Sequence, residues 1–237
     1  MENLAIIMPV YNEEGAIEGV INDWTNLLND LKINYTIFAY NDGSKDNTSS
    51  ILHKLKEKYI NLRCIDKNNS GHGATILQGY REQSNDYNWI FQIDSDNEMS
   101  SEGFKILWEK RFDYDFLVGT RDNRVQPLTR KIISIISRLT VKIFYGMGGP
   151  HDVNSPYRLM RSDVFKKLFE NIPTDTFAPN VIISGFVANK KINYFEAPVT
   201  CKTRTTGEVS IKKWKLLKAA IKSFIQTIIF SKKLRNL

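Results

Sequence analysis

The chain has 237 residues, 42% hydrophobic and 25% charged, with 13 Gly and 7 Pro, which is enough material for a substantial core and excludes a disordered, collagen-like or disulfide-stapled protein. Its net charge is +7, yet the basic residues after Glu208, where no acid occurs, account for all of it and leave the rest close to neutral. A nucleic-acid groove with aromatic stacking platforms is therefore not indicated.

Short apolar runs alternate with amphipathic stretches through the first half, the pattern of βα units and a parallel sheet. In chain order the predicted strands are Leu4 to Met8, Tyr35 to Tyr40, Leu62 to Ile65, Trp89 to Ile93 and Phe116 to Val118. Helices are predicted between them at Glu14 to Leu31, Asn47 to Tyr59, Ala74 to Gln83 and Glu102 to Lys110. Polar loops follow four of the strands at 12–15, 41–48, 67–73 and 94–100, where ligands bind in open α/β sheets. The second half is less regular. An apolar helix with scattered Arg and Lys is predicted over 127–146, and Gly148-Gly149-Pro150 ends it. A short segment from His151 to Arg161, helices from Ser162 and near Ala178 to Ala188, and a strand at Ile192 to Ala197 complete the domain. The expected organisation is one α/β domain over 1–210 with a basic helix over 211–237. The start MENLAIIMPVYNEE lacks the basic, apolar run of a signal peptide, no stretch is long enough to span a bilayer, and Cys64 and Cys201 form no disulfide or zinc pattern. The expectation is a cytoplasmic chain without a membrane span, peripheral on the inner face of the cell membrane.

The sharpest chemical signal is Asp94-Ser95-Asp96 directly after the apolar strand. Carboxylates two apart on extended chain point the same way, so both can converge on one divalent cation. Mg²⁺ or Mn²⁺ takes oxygen ligands and is commonly held by one or two carboxylates plus substrate phosphates. A polar turn with a cap for the next helix is the plainer reading of the same residues.

MPVYNEE on the first strand, YNDGSKDNT after the second, and then SGHGATILQGYR, DSD, GTRD, RKIIS, DVNSPYRLMR and KTRTTGEVS together resemble the family 2 glycosyltransferases over roughly 4–212. The order of blocks looks most like the dolichyl- and polyprenyl-phosphate sugar transferases. The resemblance implies a GT-A fold, in which a mainly parallel central sheet flanked by helices binds a nucleotide diphosphate sugar. It also implies that Pro9, Tyr11 and Glu13 line the nucleotide pocket, that Asp42 contacts base or ribose, and that Gly71 and Gly73 let the backbone approach. Asp94 and Ser95 would border the nucleotide, and Asp94 and Asp96 would hold Mg²⁺ or Mn²⁺. Arg121, Arg130 and Ser134 match positions for diphosphate or acceptor phosphate, and guanidinium suits phosphate through its planar fork. Arg204 belongs to a loop that closes over the donor diphosphate, with Ser210 and Lys212 displaced from the family spacing. Asn41 departs from the pair of acids often found there. Taken alone, Glu13 and Asp42 read as capping or turn residues, and each Arg as a surface residue.

Asp152 falls on a family acid. It is either the base that a hydroxyl acceptor requires, or a structural residue beside a phosphate acceptor, which is already anionic and needs no base. The implied activity is inverting transfer of a hexose to polyprenyl phosphate. Transfer to a saccharide hydroxyl in cell-envelope synthesis and a non-catalytic sugar-nucleotide or membrane adaptor are the alternatives.

Over Ile211 to Phe230, a helix places Trp214, Leu217, Ile221, Phe224, Ile225 and Ile228 on one face and Lys212, Lys215, Lys218 and Lys222 on another. Such a helix lies at a membrane surface or packs on the domain or a partner subunit. Residues 131–145 offer a second interfacial helix.

Overall fold

The computed structural model describes residues 2–122, 128–202 and 213–234, with the side chains of 122, 128–130 and 213–217 outside that description. Seven strands form one sheet: β1 (Asn3–Val10), β2 (Asn34–Asp42), β3 (Leu62–Lys67), β4 (Trp89–Gln92), β5 (Phe116–Asp122), β6 (Arg158–Arg161) and β7 (Tyr194–Thr200). Their order is β3-β2-β1-β4-β6-β5-β7. All neighbouring pairs are parallel except the two made by β6, which runs antiparallel between β4 and β5.

Every residue from Leu4 to Val10 is buried, because β1 is central and covered on both faces, which is why it reads as an unbroken apolar run. Leu4, Ile6, Met8 and Val10 point to one core, with Ile17, Val20, Trp24 and Leu28 of α1 (Ile17–Asp30) and with Leu52 and Leu55 of α2 (Thr48–Lys58). Ala5 and Ile7 point to the other core, with α3 (His72–Gln83), α6 (Ser162–Asn171) and α7 (Pro179–Lys190). A 3₁₀ turn at Ser101–Gly103 leads into α4 (Phe104–Lys110).

Two elements differ from expectation. The segment from His151 to Arg161 ends in β6, a four-residue strand of sequence RLMR whose charged ends hide its strand character. The last strand begins at Tyr194, not Ile192, because the Ile192 N–H closes the C-terminus of α7 on Val187 O, past Lys191 at φ 53°. Pro198 is tolerated in β7 because β7 is an edge strand.

α5 (Leu128–Phe144) and α8 (Lys213–Lys233) pack against each other and against α7. The side of α8 that is buried is not the one expected from its hydrophobicity. Thr227, Phe230 and Leu234 enter the core beside Val141 and Tyr145, and the Tyr145 hydroxyl donates to Thr227 O at 2.6 Å. Ile221, Phe224, Ile225 and Ile229 face outward. From Ser223 onward the helix is therefore integral to the domain while keeping an apolar outer ridge. Among the described residues, no helix is long and apolar enough to cross a membrane.

Phe230→Ala should cost about 3–5 kcal/mol, as for a truncated core aromatic, and Ile229→Ala less than about 0.5 kcal/mol, as for a surface change. Urea unfolding measures both; equal losses would contradict this orientation of α8.

Candidate active site

The loops after β1 and β2 are stitched together. Asn12, in the left-handed region at φ 53°, donates its N–H to Ser44 Oγ at 3.0 Å and accepts from Lys45 N at 2.8 Å. The Glu13 N–H reaches Thr48 Oγ1 at 2.9 Å, and Glu14 accepts from Asn47 N at 2.9 Å. This fixes the ledge on which Pro9, Tyr11 and Glu13 stand; Pro9 and Glu13 are buried and Tyr11 is partly exposed.

Asp42 is buried, and both its oxygens organise the neighbouring loop. Lys67 Nζ lies at 2.6 Å, Ser70 N at 2.8 Å and Gly71 N at 2.9 Å. Burial by itself would raise its pKa, but the Lys67 ammonium and the Ser70 N–H outweigh that and hold it below the usual carboxylate range. Asn41 accepts from Ser44 N and donates to Asp66 at 2.6 Å. Asp66 also accepts from Ser49 and meets His53.

Gly71 sits at φ +88°, with open space where a side chain would project, and so needs glycine for its conformation. Gly73 is different: a Cβ there would lie 2.1 Å from Phe177 O and 2.5 Å from Thr176 O. Its smallness serves the packing of α3 against the 176–177 backbone.

Within the DSD segment the three residues divide their roles. Ser95 is buried and donates to Pro9 O at 2.9 Å, tying the loop after β4 to β1. Asp94 is partly exposed and meets the half-exposed His72 ring at 3.0 Å. Desolvation opposes the imidazolium, but Asp94, with Asp96 and Asp42, shifts the His72 pKa upward overall. Asp96 accepts from Glu98 N at 3.1 Å. Asp94, Asp96, Glu98, Arg121 and Tyr157 line one cavity.

Arg121 also borders a second, open cleft of about 240 Å³, lined by Thr120, Lys131, Ser134, Ile135, Arg138, His151 and Asp152. It is thus the common wall of the two spaces. Asp152 grips it bidentately, with Nε to Oδ2 at 2.7 Å and Nη2 to Oδ1 at 2.8 Å. Burial disfavours the guanidinium charge, and Asp152 more than restores it, raising the Arg121 pKa. His151 is anchored on Glu196 through its N–H and its ring. The structure thus brings Asp94, Asp96, Arg121, Ser134 and Asp152 around two adjoining spaces. The side chain of Arg130 and all of Arg204, Ser210 and Lys212 lie outside the described residues. Lys131 and Arg138 were not anticipated, although with Ser134 they follow an i, i+3, i+7 spacing that puts them on one helix face.

The model of the glycosyl transferase family 2 matches residues 5–169, and the chain belongs to that family. It is 25% identical to an undecaprenyl-phosphate 4-deoxy-4-formamido-L-arabinose transferase of Pseudomonas paraeruginosa, over 90% of this chain and 62% of that protein. It is also 25% identical to a dolichyl-phosphate beta-glucosyltransferase of Trichomonas vaginalis, over 71% and 56%. The chain thus spans about three-fifths of the length of the curated relatives it matches. Glucosyl-3-phosphoglycerate synthase from Mycobacterium tuberculosis, solved with Mn²⁺ and UDP-glucose, superposes with a TM-score of 0.66 at 11% identity, covering 96% of this chain and 79% of that one. The fold is the GT-A fold that the sequence resemblance implied.

Because Asp42 is held below the unfolded value of ~3.9, its contribution is complete above that pH and is lost as pH falls through the folded value. Asp42→Asn should lower stability at pH 7 by about 1–3 kcal/mol, and the gap to wild type should close as the medium is acidified below about pH 4. Denaturant titrations across pH test this; a constant offset down to pH 2 would contradict it.

Proposed function

We propose that the protein transfers a hexose, with inversion, from a nucleotide diphosphate sugar to a polyprenyl phosphate. The observation that carries this reading is Arg121, which stands between the DSD cavity and a basic cleft and can face a donor diphosphate on one side and an acceptor phosphate on the other. The donor would rest on the ledge of Pro9, Tyr11 and Glu13, its base towards the loop that Asp42 organises, with Gly71 at the open edge. The matched relatives act on undecaprenyl and dolichyl phosphates by name, in keeping with such an acceptor.

The DSD carboxylates fit a divalent cation. Both offer hard oxygen donors to one cavity, and the described residues contain no cluster of three or more His, Cys, Asp and Glu that would enclose an ion. A site completed by substrate phosphate oxygens is the arrangement typical of Mg²⁺, and Mn²⁺ shares its preference for oxygen. Asp94 and Asp96 would hold the ion, which as a Lewis acid would offset the charge of the leaving diphosphate. Arg204, on its loop, would add a further positive charge.

On the acceptor side, Lys131, Ser134, Arg138 and Arg121 offer donors to a phosphate; Arg130, whose side chain lies outside the described residues, would add another only by the family match. Both oxygens of Asp152 are engaged by Arg121, which disfavours a base and favours an acceptor that is already anionic. The outer face of α5 exposes Ile132, Ile135, Ile136, Leu139 and Ile143, and α8 exposes its own ridge beside Lys218 and Lys222. Apolar ridges flanked by cations suit the headgroup region of an anionic membrane, where a polyprenyl phosphate presents its phosphate. Peripheral attachment through α5 and α8 follows.

The test is transfer of labelled sugar from UDP-, GDP- and dTDP-sugars with Mn²⁺ to a short polyprenyl phosphate in anionic vesicles. The expected outcome is one preferred donor, co-sedimentation of protein with the vesicles, and a loss of about 10²-fold or more in Asp96→Ala. Undiminished transfer by that variant, or transfer only to saccharide hydroxyls, would overturn the reading.

A further inference from the structure

Arg158, at the start of β6, is completely buried. It stands opposite Gln92 of β4 and Val118 of β5, next to the strand ends that carry Asp94 and Arg121. All its hydrogen bonds go to main-chain carbonyls. Nε and Nη2 reach Ser155 O at 2.9 and 2.7 Å, Nη2 also reaches Val153 O at 3.4 Å, and Nη1 reaches Asn180 O at 3.0 Å. No carboxylate forms an ion pair with it among the described residues.

A buried cation without a paired anion is expensive, and a neutral side chain would serve a purely mechanical clamp. Burial, with the Arg121 charge acting the same way and Asp152 and Asp94 against it, leaves the Arg158 pKa lowered to about 10, so the group remains cationic at neutral pH. Two of the three carbonyls it holds, those of Val153 and Ser155, belong to the turn that immediately follows Asp152, and the third, of Asn180, belongs to α7. Pro156 and Tyr157, just beyond that turn, line the DSD cavity.

We propose that Arg158 is a positioning residue of this site: it fixes the 153–155 turn so that Asp152 meets Arg121 with both oxygens, and it supplies a positive charge beneath the floor on which phosphates bind. The second half of this statement rests on the transferase reading; the first does not.

Two variants and two readouts test it. Arg158→Gln removes the charge and most of the donors, and Arg158→Lys keeps the charge. The first readout is the ¹⁵N side-chain Nε–H signal of Arg121, assigned by its disappearance in Arg121→Lys; it should exchange slowly in the wild type and about tenfold or more faster in Arg158→Gln. The second is calorimetric binding of UDP, GDP and dTDP with Mn²⁺ against their monophosphates. Arg158→Gln should weaken diphosphate binding about tenfold or more, monophosphate binding less, and Arg158→Lys should restore diphosphate binding to within about threefold. Thermal unfolding verifies that each variant is folded.

A folded Arg158→Gln with wild-type Arg121 protection and diphosphate affinity would overturn the proposal. So would an Arg158→Lys as weak as the Gln variant, or failure of both variants to fold, which would assign Arg158 to the core alone. If the wild type binds UDP, GDP and dTDP no better than the monophosphates, the transferase reading fails and the Arg121 signal alone decides the positioning role.

Discussion

The bidentate pair between Arg121 and Asp152 is the interaction on which the site depends. It joins the end of β5 to the turn leading into β6, two segments that the sheet brings together only because β6 is inserted antiparallel between β4 and β5. Both side chains are mostly buried, at 15% and 20% exposure, so neither charge is well solvated without the other, and removal of one partner leaves an uncompensated charge. The pair holds the guanidinium where it borders both cavities. It also commits both carboxylate oxygens of Asp152, and this limits the chemistry open to that acid.

Around this pair, much of the expected nucleotide pocket consists of residues that build the pocket's walls. Asp42 gathers Lys67, Ser70 and Gly71, Ser95 ties β4 to β1, and Gly73 permits close packing of α3 against Thr176 and Phe177. A site assembled from five strand ends needs such fasteners, because each loop is otherwise free to move away from its neighbours. Asp94, Asp96 and Arg121 remain partly exposed to the space those walls enclose, where the proposed donor would carry its diphosphate charge.

The fold was legible where burial is symmetrical. β1 and β4 are covered on both faces, so their apolar runs announce themselves, and because β1 to β4 are parallel the polar loops after them all lie at the carboxyl edge of the sheet. β6 was not legible, since Arg158 and Arg161 in a four-residue strand conceal a buried position. The seat of α8, left between a membrane surface and the domain, was not legible for a related reason. The Ile221, Phe224, Ile225 ridge is more hydrophobic than the Thr227, Phe230, Leu234 face, and only contact with α5 and α7 decides which is covered. Within the site, the DSD acids could be read from local spacing. The partner of Asp152 could not, because Arg121 is separated from it by 31 positions, and the cationic face of α5 gains meaning only once that helix lies over the cleft.

Whether Asp152 only holds Arg121 or also takes a proton decides the chemistry of the site. The direct measurement is the rate of sugar transfer by Asp152→Asn, compared with wild type, to a phosphate acceptor and to a hydroxyl acceptor under the same conditions. With the phosphate acceptor a decline of about 10²-fold or less is predicted, with the shape of the pH profile unchanged, because asparagine still offers one oxygen to Arg121 although it leaves that charge unpaired, and no proton has to be removed. A fall of about 10³-fold or more, accompanied by loss of the acidic, rising limb of the pH profile, would identify Asp152 as the base and contradict this.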